Sequence, residues 1–253
     1  MPQPFFSYAG AKFRWARLLG PPRYSHVIEP FAGSAAYSCV WEPAQVTLIE
    51  VNPVVYGVWK FLQRVSPDEI MRLPSNISHV DELPPWVCEE GRNLIGFWFD
   101  SGLAAPGLRL CKWGRNPNRR GFYWSETLKH RLASQVDRIR HWNIIWGSYE
   151  ESPDIEAHYF IDPPYNNAVG RNYPYHDIDY AALAEWCKGR RGFVQVCEND
   201  GATWLPFKPR TITTTHRPRR YSVEALCEID NRISTRRPRP RRQDRRRKRH
   251  GAS

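Results

Sequence analysis

Short apolar, β-branched runs alternate along the chain with segments of helical pattern, and this rhythm limits the fold more than any other feature of the sequence. The runs are His26 to Glu29, Val46 to Glu50, Asn143 to Trp146, His158 to Asp162, Phe193 to Val196, Thr211 to Thr215 and Ala225 to Ile229. Seven such strands separated by helices specify an α/β protein with a parallel or mixed sheet and crossover helices, and argue against all-helical or all-β architectures. Helices are expected over Ala35 to Trp41, Pro53 to Arg64 and Tyr180 to Lys188, the last with Asp179 as N-cap. The clearest helix is Glu126 to Arg140, capped by Ser125, with Leu128, Leu132, Val136 and Ile139 in one apolar stripe that should face the sheet.

The segment from Ser66 to Trp124 breaks this rhythm with many Pro and Gly residues and reads as an insertion. Within it, NPNRRG lies between two aromatic-bearing stretches, a turn chemistry suited to a hairpin with Arg115, Arg119 and Arg120 near its tip. At 253 residues the chain suffices for one sizeable core or for one domain with a small insertion.

The net charge of +11 is unevenly placed. Residues 236 to 250 hold ten Lys and Arg against the single Asp244, a net of +9, which leaves +2 for everything else. This run has no apolar face and contains Pro238 and Pro240, so residues 236 to 253 are expected to be a disordered basic tail, either solubilising or an electrostatic tether to nucleic acid. Six cysteines are scattered without a C-x-x-C pair, and no two histidines have H-x-x-x-H spacing, so no metal site is expected. Cys39 and Cys197 read as small core residues of a reducing compartment. No apolar stretch approaches the ~20 residues of a membrane span and the N-terminus lacks a signal pattern, which makes cytoplasm the expected location.

Three motifs carry candidate chemistry. The first is Asp162-Pro163-Pro164-Tyr165, directly after the strand HYFI. Two prolines lack N–H groups and have fixed φ, so the chain must leave the sheet there with a rigid shape. The Asp162 side chain and the Pro163 carbonyl are both acceptors and can hold the two hydrogens of an exocyclic amine, with the Tyr165 ring as a stacking surface. The second is the strand His26 to Glu29 followed by Pro30-Phe31-Ala32-Gly33-Ser34-Ala35. Here a glycine lets a ligand approach the backbone, and the next helix N-terminus favours polar or negative groups. Seventeen residues later the strand VTLIE ends in Glu50, placed as the acid that accepts a ribose diol in nucleotide-binding α/β folds. The third is Ser7-Tyr8-Ala9-Gly10-Ala11-Lys12, a small-residue turn with a lysine before the first strand.

In the order YAGAK, EPFAGSA, LIEVNP and FIDPPY, over roughly residues 6 to 230, the sequence resembles the Dam or D12-type (α-class) N6-adenine DNA methyltransferases. The resemblance implies a Rossmann-like seven-stranded mixed sheet of the S-adenosylmethionine-dependent methyltransferase type. Residues 1–65 and 125–235 would form the catalytic domain and 66–124 a small target-recognition insert. It implies S-adenosyl-L-methionine as cofactor, without metal, and double-stranded DNA as partner. Tyr8, Lys12, Glu29, Phe31, Gly33, Glu50 and Asp162 would contact the cofactor, and Asp162, Pro163, Pro164 and Tyr165 would form the catalytic loop around a flipped adenine. Arg115, Arg119 and Arg120 would contact DNA, Asn199 would border the base pocket, and Ser148 would replace the acid often found near the cofactor adenine. The chain departs from the family pattern at Ala11 and Ala35, where glycines are usual, and at Glu50, where Asp is usual. N4-cytosine or RNA methylation, or a non-catalytic nucleic-acid-binding protein on the same fold, are the alternative readings.

Overall fold

Val27, Ile28, Leu48, Ile49, Tyr159, Phe160, Ile161, Val194 and Val196 are all essentially inaccessible to solvent, so their strands must be covered on both faces. The structure, a computed structural model, describes residues 3–116, 118, 121–213 and 221–231. Its seven strands are β1 (His26–Glu29), β2 (Gln45–Glu50), β3 (Asn143–Trp146), β4 (Ala157–Ile161), β5 (Gly192–Asn199), β6 (Lys208–Thr213) and β7 (Tyr221–Asn231). They form one sheet in the order β3-β2-β1-β4-β5-β7-β6. The first five pair in parallel, while β7 runs antiparallel to both β5 and β6. This is the Rossmann-like seven-stranded mixed sheet of the S-adenosylmethionine-dependent methyltransferase type that the resemblance implies.

Successive residues of each strand point to opposite faces. Ile28, Ile49, Tyr159, Ile161, Val194 and Val196 pack with Leu183 and Cys187 of α7 (Tyr180–Gly189) on one face. On the other, Val27, Phe160 and Cys197 meet Ala16 of α1 (Phe13–Leu18) and Tyr37 of α2 (Ala36–Trp41). A larger cluster on that side joins Val46 and Leu48 to Trp59 and Leu62 of α3 (Pro53–Arg64). Asn52 caps α3 by accepting from Val54 N at 3.0 Å. Cys39 and Cys197 are buried, as expected of small core residues.

The segment 66–124 contributes to this core. It contains α4 (Pro67–Arg72) and α5 (Glu89–Phe99), and Ile70, Leu94, Ile95 and Phe97 lie in the same cluster as Trp59. The Trp98 indole donates to Phe5 O at 3.0 Å and Trp124 to Pro74 O at 2.7 Å. The expected hairpin around NPNRRG is not formed by the described residues: Cys111 N bonds to Phe99 O and Trp124 N to Trp98 O, so the flanks attach to α5 instead of to each other. Arg119 and Arg120 lie outside the described residues, as do Thr214, Thr215 and the basic tail.

The helix expected from Glu126 to Arg140 is interrupted. α6 spans Glu126–Ala133, and a 3-10 turn covers Val136–Ile139. The break falls at Ser134-Gln135, where the Ser134 hydroxyl donates back to Arg131 O at 2.8 Å, a local bond that competes with helix continuation. The stripe Leu128, Leu132, Val136 and Ile139 is buried in the Trp59 cluster, with α6 lying against α4 and the 3-10 turn against α3. Among the described residues no helix is long and apolar enough to cross a membrane.

Asp179 caps α7 as expected, its Oδ1 accepting from Ala181 N at 2.9 Å and Ala182 N at 3.0 Å. Asp179→Ala should therefore lower stability by about 1 kcal/mol. The urea midpoint should fall with an unchanged slope.

Candidate functional site

β1 pairs directly with β4, Val27 opposite His158 and Ile28 opposite Tyr159, although some 130 residues separate them. β2 lies on the far side of β1, and the next strand in sequence, β3, lies beyond it. The strand order thus reverses between β1 and β4, and in open α/β sheets ligands bind outside the carboxyl ends at such a switch point. The glycine turn after β1, Glu50 at the end of β2 and Asp162 after β4 all emerge at this edge. They line one cavity of about 1430 Å³. That volume exceeds the roughly 300–1,000 Å³ of a site for a single small ligand.

Of the sequence-predicted residues, Tyr8, Lys12, Glu29, Phe31, Gly33, Glu50, Asp162, Pro163, Pro164 and Tyr165 all line it. Ser148 does too, and its side chain caps the turn Tyr149–Glu151. Asn199 does not line this cavity; its Oδ1 accepts from Asn167 Nδ2 at 2.6 Å and braces the loop after Tyr165. Arg115 is exposed and away from the cavity. Near it, Trp113 and Phe122 are exposed as well.

At the β1 side, Gly33 has φ +44°, and a Cβ there would meet the Tyr8 ring at 3.2 Å. The turn is pinned from both directions. Gly33 O accepts the Trp59 indole N–H at 2.8 Å, and Gly33 N donates to Glu50 Oε2 at 2.9 Å. Ala35 has φ +45°, a left-handed conformation in which alanine carries a steric cost that glycine would not. Ala11 has no such conformation, so the glycine-to-alanine departure is neutral for the backbone at 11 and strained at 35. One donor of the first turn of the short helix α2 is already engaged inside the protein: Glu29 Oε1 accepts Ser38 N at 2.7 Å.

The acids here are buried. Burial raises the Glu29 carboxyl to about 8 against the opposing hydrogen bonds of Ser38, and raises Glu50 to about 7 against those of Asn52 and Gly33. Glu50 Oε1 accepts from Asn52 N at 2.9 Å. An ionised carboxylate has about four lone-pair sites, and with Val51 N also directed at Glu50 about one remains for a hydroxyl donor. The residues therefore fit S-adenosylmethionine: a diol acceptor at Glu50, a glycine turn at Gly33 that packs closely under the Tyr8 ring, and an apolar wall where Phe31 stacks on Tyr149 at 5.7 Å.

At the β4 side, Lys12 Nζ lies 3.1 Å from Asp162 Oδ1 and donates to Gly10 O at 2.9 Å. It also lies 4.8 Å from the centre of the Tyr165 ring. Apart from that ion pair, Asp162 Oδ1 takes no hydrogen bond. Burial raises the Asp162 pKa, with Lys12 opposing the rise. Burial disfavours the Lys12 ammonium, but Asp162 and Glu224 outweigh it and raise its pKa.

Two cavity residues escape a reading of the sequence. Glu224, on β7, accepts the Tyr165 hydroxyl at 2.8 Å and lies 3.7 Å from Lys12 Nζ. Tyr173 stands 6.0 Å from Tyr8 ring to ring and closes over Gly10. No motif marks either one; Glu224 reaches this edge only because β7 is antiparallel to β5.

No family model matches the chain, and no curated protein matches it. Solved structures of similar shape include a candidate methyltransferase from Escherichia coli, 10% identical, covering 85% of this chain and 80% of that one with a TM-score of 0.34. A candidate RNA methyltransferase from Pyrococcus horikoshii is 8% identical, with coverage of 83% and 75% and a TM-score of 0.37. A candidate methylase from Haemophilus influenzae is 12% identical, with coverage of 87% and 86% and a TM-score of 0.34. At this level of similarity nothing about activity passes from them to this chain.

The loop that carries Tyr165 folds back tightly on Gly170, where an added Cβ would stand 1.8 Å from Tyr165 O. Gly170→Ala must displace this backbone. Amide exchange over residues 165–170 should speed up by about tenfold or more, the equivalent of ~1.4 kcal/mol of local stability.

Proposed function

We propose that the chain is an S-adenosylmethionine-dependent methyltransferase that modifies the exocyclic N6 of adenine in double-stranded DNA, with the target base flipped out of the helix. The observation that carries this reading is that Asp162, at the carboxyl end of β4, already accepts from a nitrogen donor, the ammonium of Lys12, at 3.1 Å in the cavity it shares with the glycine turn. An adenine amine at the same corner would give one hydrogen to Asp162 and the other to the carbonyl of Pro163, with its ring on Tyr165. Held this way, the nitrogen lone pair is less delocalised into the ring and points away from both acceptors.

S-adenosylmethionine, when bound, supplies an electrophilic methyl group on its sulfonium. Tyr8, Glu29, Phe31, Gly33 and Glu50 would hold it, Glu50 through the ribose hydroxyls, and Lys12 and Asp162 would border it. The Asp162 carboxylate stabilises the positive charge that develops on N6 and then takes its proton. Alignment and fixed acceptors would supply most of the rate, as the burial of this corner strengthens each electrostatic contact. The composition of residues 236–253 supports a non-specific phosphate contact, and Arg115, Arg119 and Arg120 are proposed as DNA contacts of the 66–124 insert, beside exposed Trp113 and Phe122.

Asp162→Ala should lower transfer of labelled methyl to DNA by about a thousandfold or more. Its melting temperature should stay near that of the unaltered protein, since Glu224 remains as a counter-charge for Lys12. A fully active variant overturns the assignment, and labelled cytosine or RNA in place of adenine would redirect it.

Cofactor affinity should depend on pH through Glu50. Its pKa is raised to about 7 by burial, and hydroxyl donors favour its ionised form, so affinity is full above that value and declines below it. Between pH 8 and pH 6 the apparent Kd measured by calorimetry should rise by up to about tenfold. Glu50→Gln should flatten this slope, with any residue of it belonging to Glu29.

A further inference from the structure

Glu224 has no part in the chemistry just described, yet it meets both the Tyr165 hydroxyl and the Lys12 ammonium at the reacting corner. It stands opposite Asn199 in the β5–β7 pairing, with its side chain only 15% exposed. Oε2 accepts the Tyr165 hydroxyl at 2.8 Å, while Oε1 lies 3.7 Å from the Lys12 ammonium. Lys12 is itself 6% exposed and held closer to Asp162, at 3.1 Å. One ammonium is thus placed between two carboxylates, in firm contact with one and just outside hydrogen-bond distance of the other.

Fixing the Tyr165 ring does not require a carboxylate. An amide or a hydroxyl would accept the same hydrogen bond without the cost of burying a second acid. Burial accordingly pushes the Glu224 pKa up to about 7, with Lys12 opposing the rise. What a second carboxylate adds is an alternative partner for Lys12. An amine that takes the Oδ1 position of Asp162 must displace the ammonium now there, and a buried ammonium without a counter-charge is strongly unfavourable. Oε1 needs to come less than about 1 Å closer to Lys12 Nζ to form a charge-assisted hydrogen bond.

We infer that Glu224 is a positioning residue for methyl transfer: it tethers the Tyr165 ring beside the target base and receives the Lys12 ammonium when the base amine replaces it at Asp162. This rests on the methyltransferase reading above. Lys12 then acts as a placeholder that keeps the corner neutralised between turnovers, and Glu224 as the seat to which it retires.

The test uses the full chain with duplex DNA and S-adenosylmethionine. Glu224→Gln keeps the size and an acceptor for Tyr165 but removes the charge. Its kcat should fall by about tenfold or more while KM for the cofactor stays within about twofold. The double variant Lys12→Met/Glu224→Gln should be no slower than Lys12→Met alone, because the two residues act as a unit. A Glu224 that merely supports the fold would instead lower the melting temperature and add its loss to that of Lys12→Met, and that additivity overturns the inference. So does an unchanged kcat. If Glu224→Gln yields no folded protein, Glu224→Asp carries the test: kcat lowered by about threefold or more with cofactor Kd within about twofold, an unchanged kcat again being the contrary result. Absence of methyl transfer by the unaltered protein to any nucleic acid sinks the methyltransferase reading and this inference with it, whereas an active protein indifferent to Glu224 sinks only the latter.

Discussion

The parallel pairing of β1 with β4 is the constraint from which the candidate site follows. It lays two chain segments, far apart in sequence, side by side with their carboxyl ends level, and both leave the sheet at once through rigid turns. The β1 turn is shaped by a left-handed glycine and the β4 turn by two prolines. Each would be an ordinary strand ending alone. Brought together at the reversal of strand order, they form the two walls of one cavity, and Glu50 of β2 closes its third side. The acids that converge there are taken out of water, so each must be neutralised, protonated or hydrogen-bonded. Glu29 and Glu50 meet this demand with backbone N–H groups, and Asp162 and Glu224 meet it by sharing Lys12.

Much of this was legible in the amino-acid sequence. Six of the seven strands are where apolar runs place them, because a strand covered on both faces must be apolar almost throughout, as the buried run from Ala157 to Ile161 is. The edge strand β6 begins at Lys208, three residues before the expected Thr211, in a stretch that is not apolar. The DPPY corner and the glycine turn carry their geometry in residue type, since proline and glycine alter backbone freedom whatever surrounds them. Other features depend on tertiary context. The end of α6 at Ala133 turns on a serine hydroxyl whose competing bond is invisible to periodicity. The flanks of the NPNRRG turn have hairpin chemistry but find better partners at the end of α5. Glu224 precedes the apolar run of β7 and looks like a solvated strand start; only the antiparallel direction of that strand carries it to the site. Ala35 is a case of the opposite kind, a departure from glycine that the backbone accepts at a positive φ.

The segment 66–124 is joined to the rest by more than chain connectivity. Trp98 bonds to Phe5, Ala9 N donates to Leu103 O at 3.0 Å, and Leu103 and Ala104 help to form the rim of the cavity. The turn that bears Tyr8 and Lys12 is therefore fastened along its length to the insert. Stability and site geometry are set in the same set of contacts, and the segment 66–124 lacks a separate hydrophobic core among the described residues.

The bond from the Trp59 indole to Gly33 O joins the centre of the oily interior to the glycine turn at the cavity. Trp59 is wholly enclosed and would be filed by any mutational scan as a packing residue. Yet its ring nitrogen fixes the carbonyl of the glycine that shapes one wall of the cavity. Evolution or engineering that repacks this interior with phenylalanine or leucine would preserve the oil and loosen the turn, so that a change made for robustness would surface at the cavity wall, one hydrogen bond away from the altered side chain.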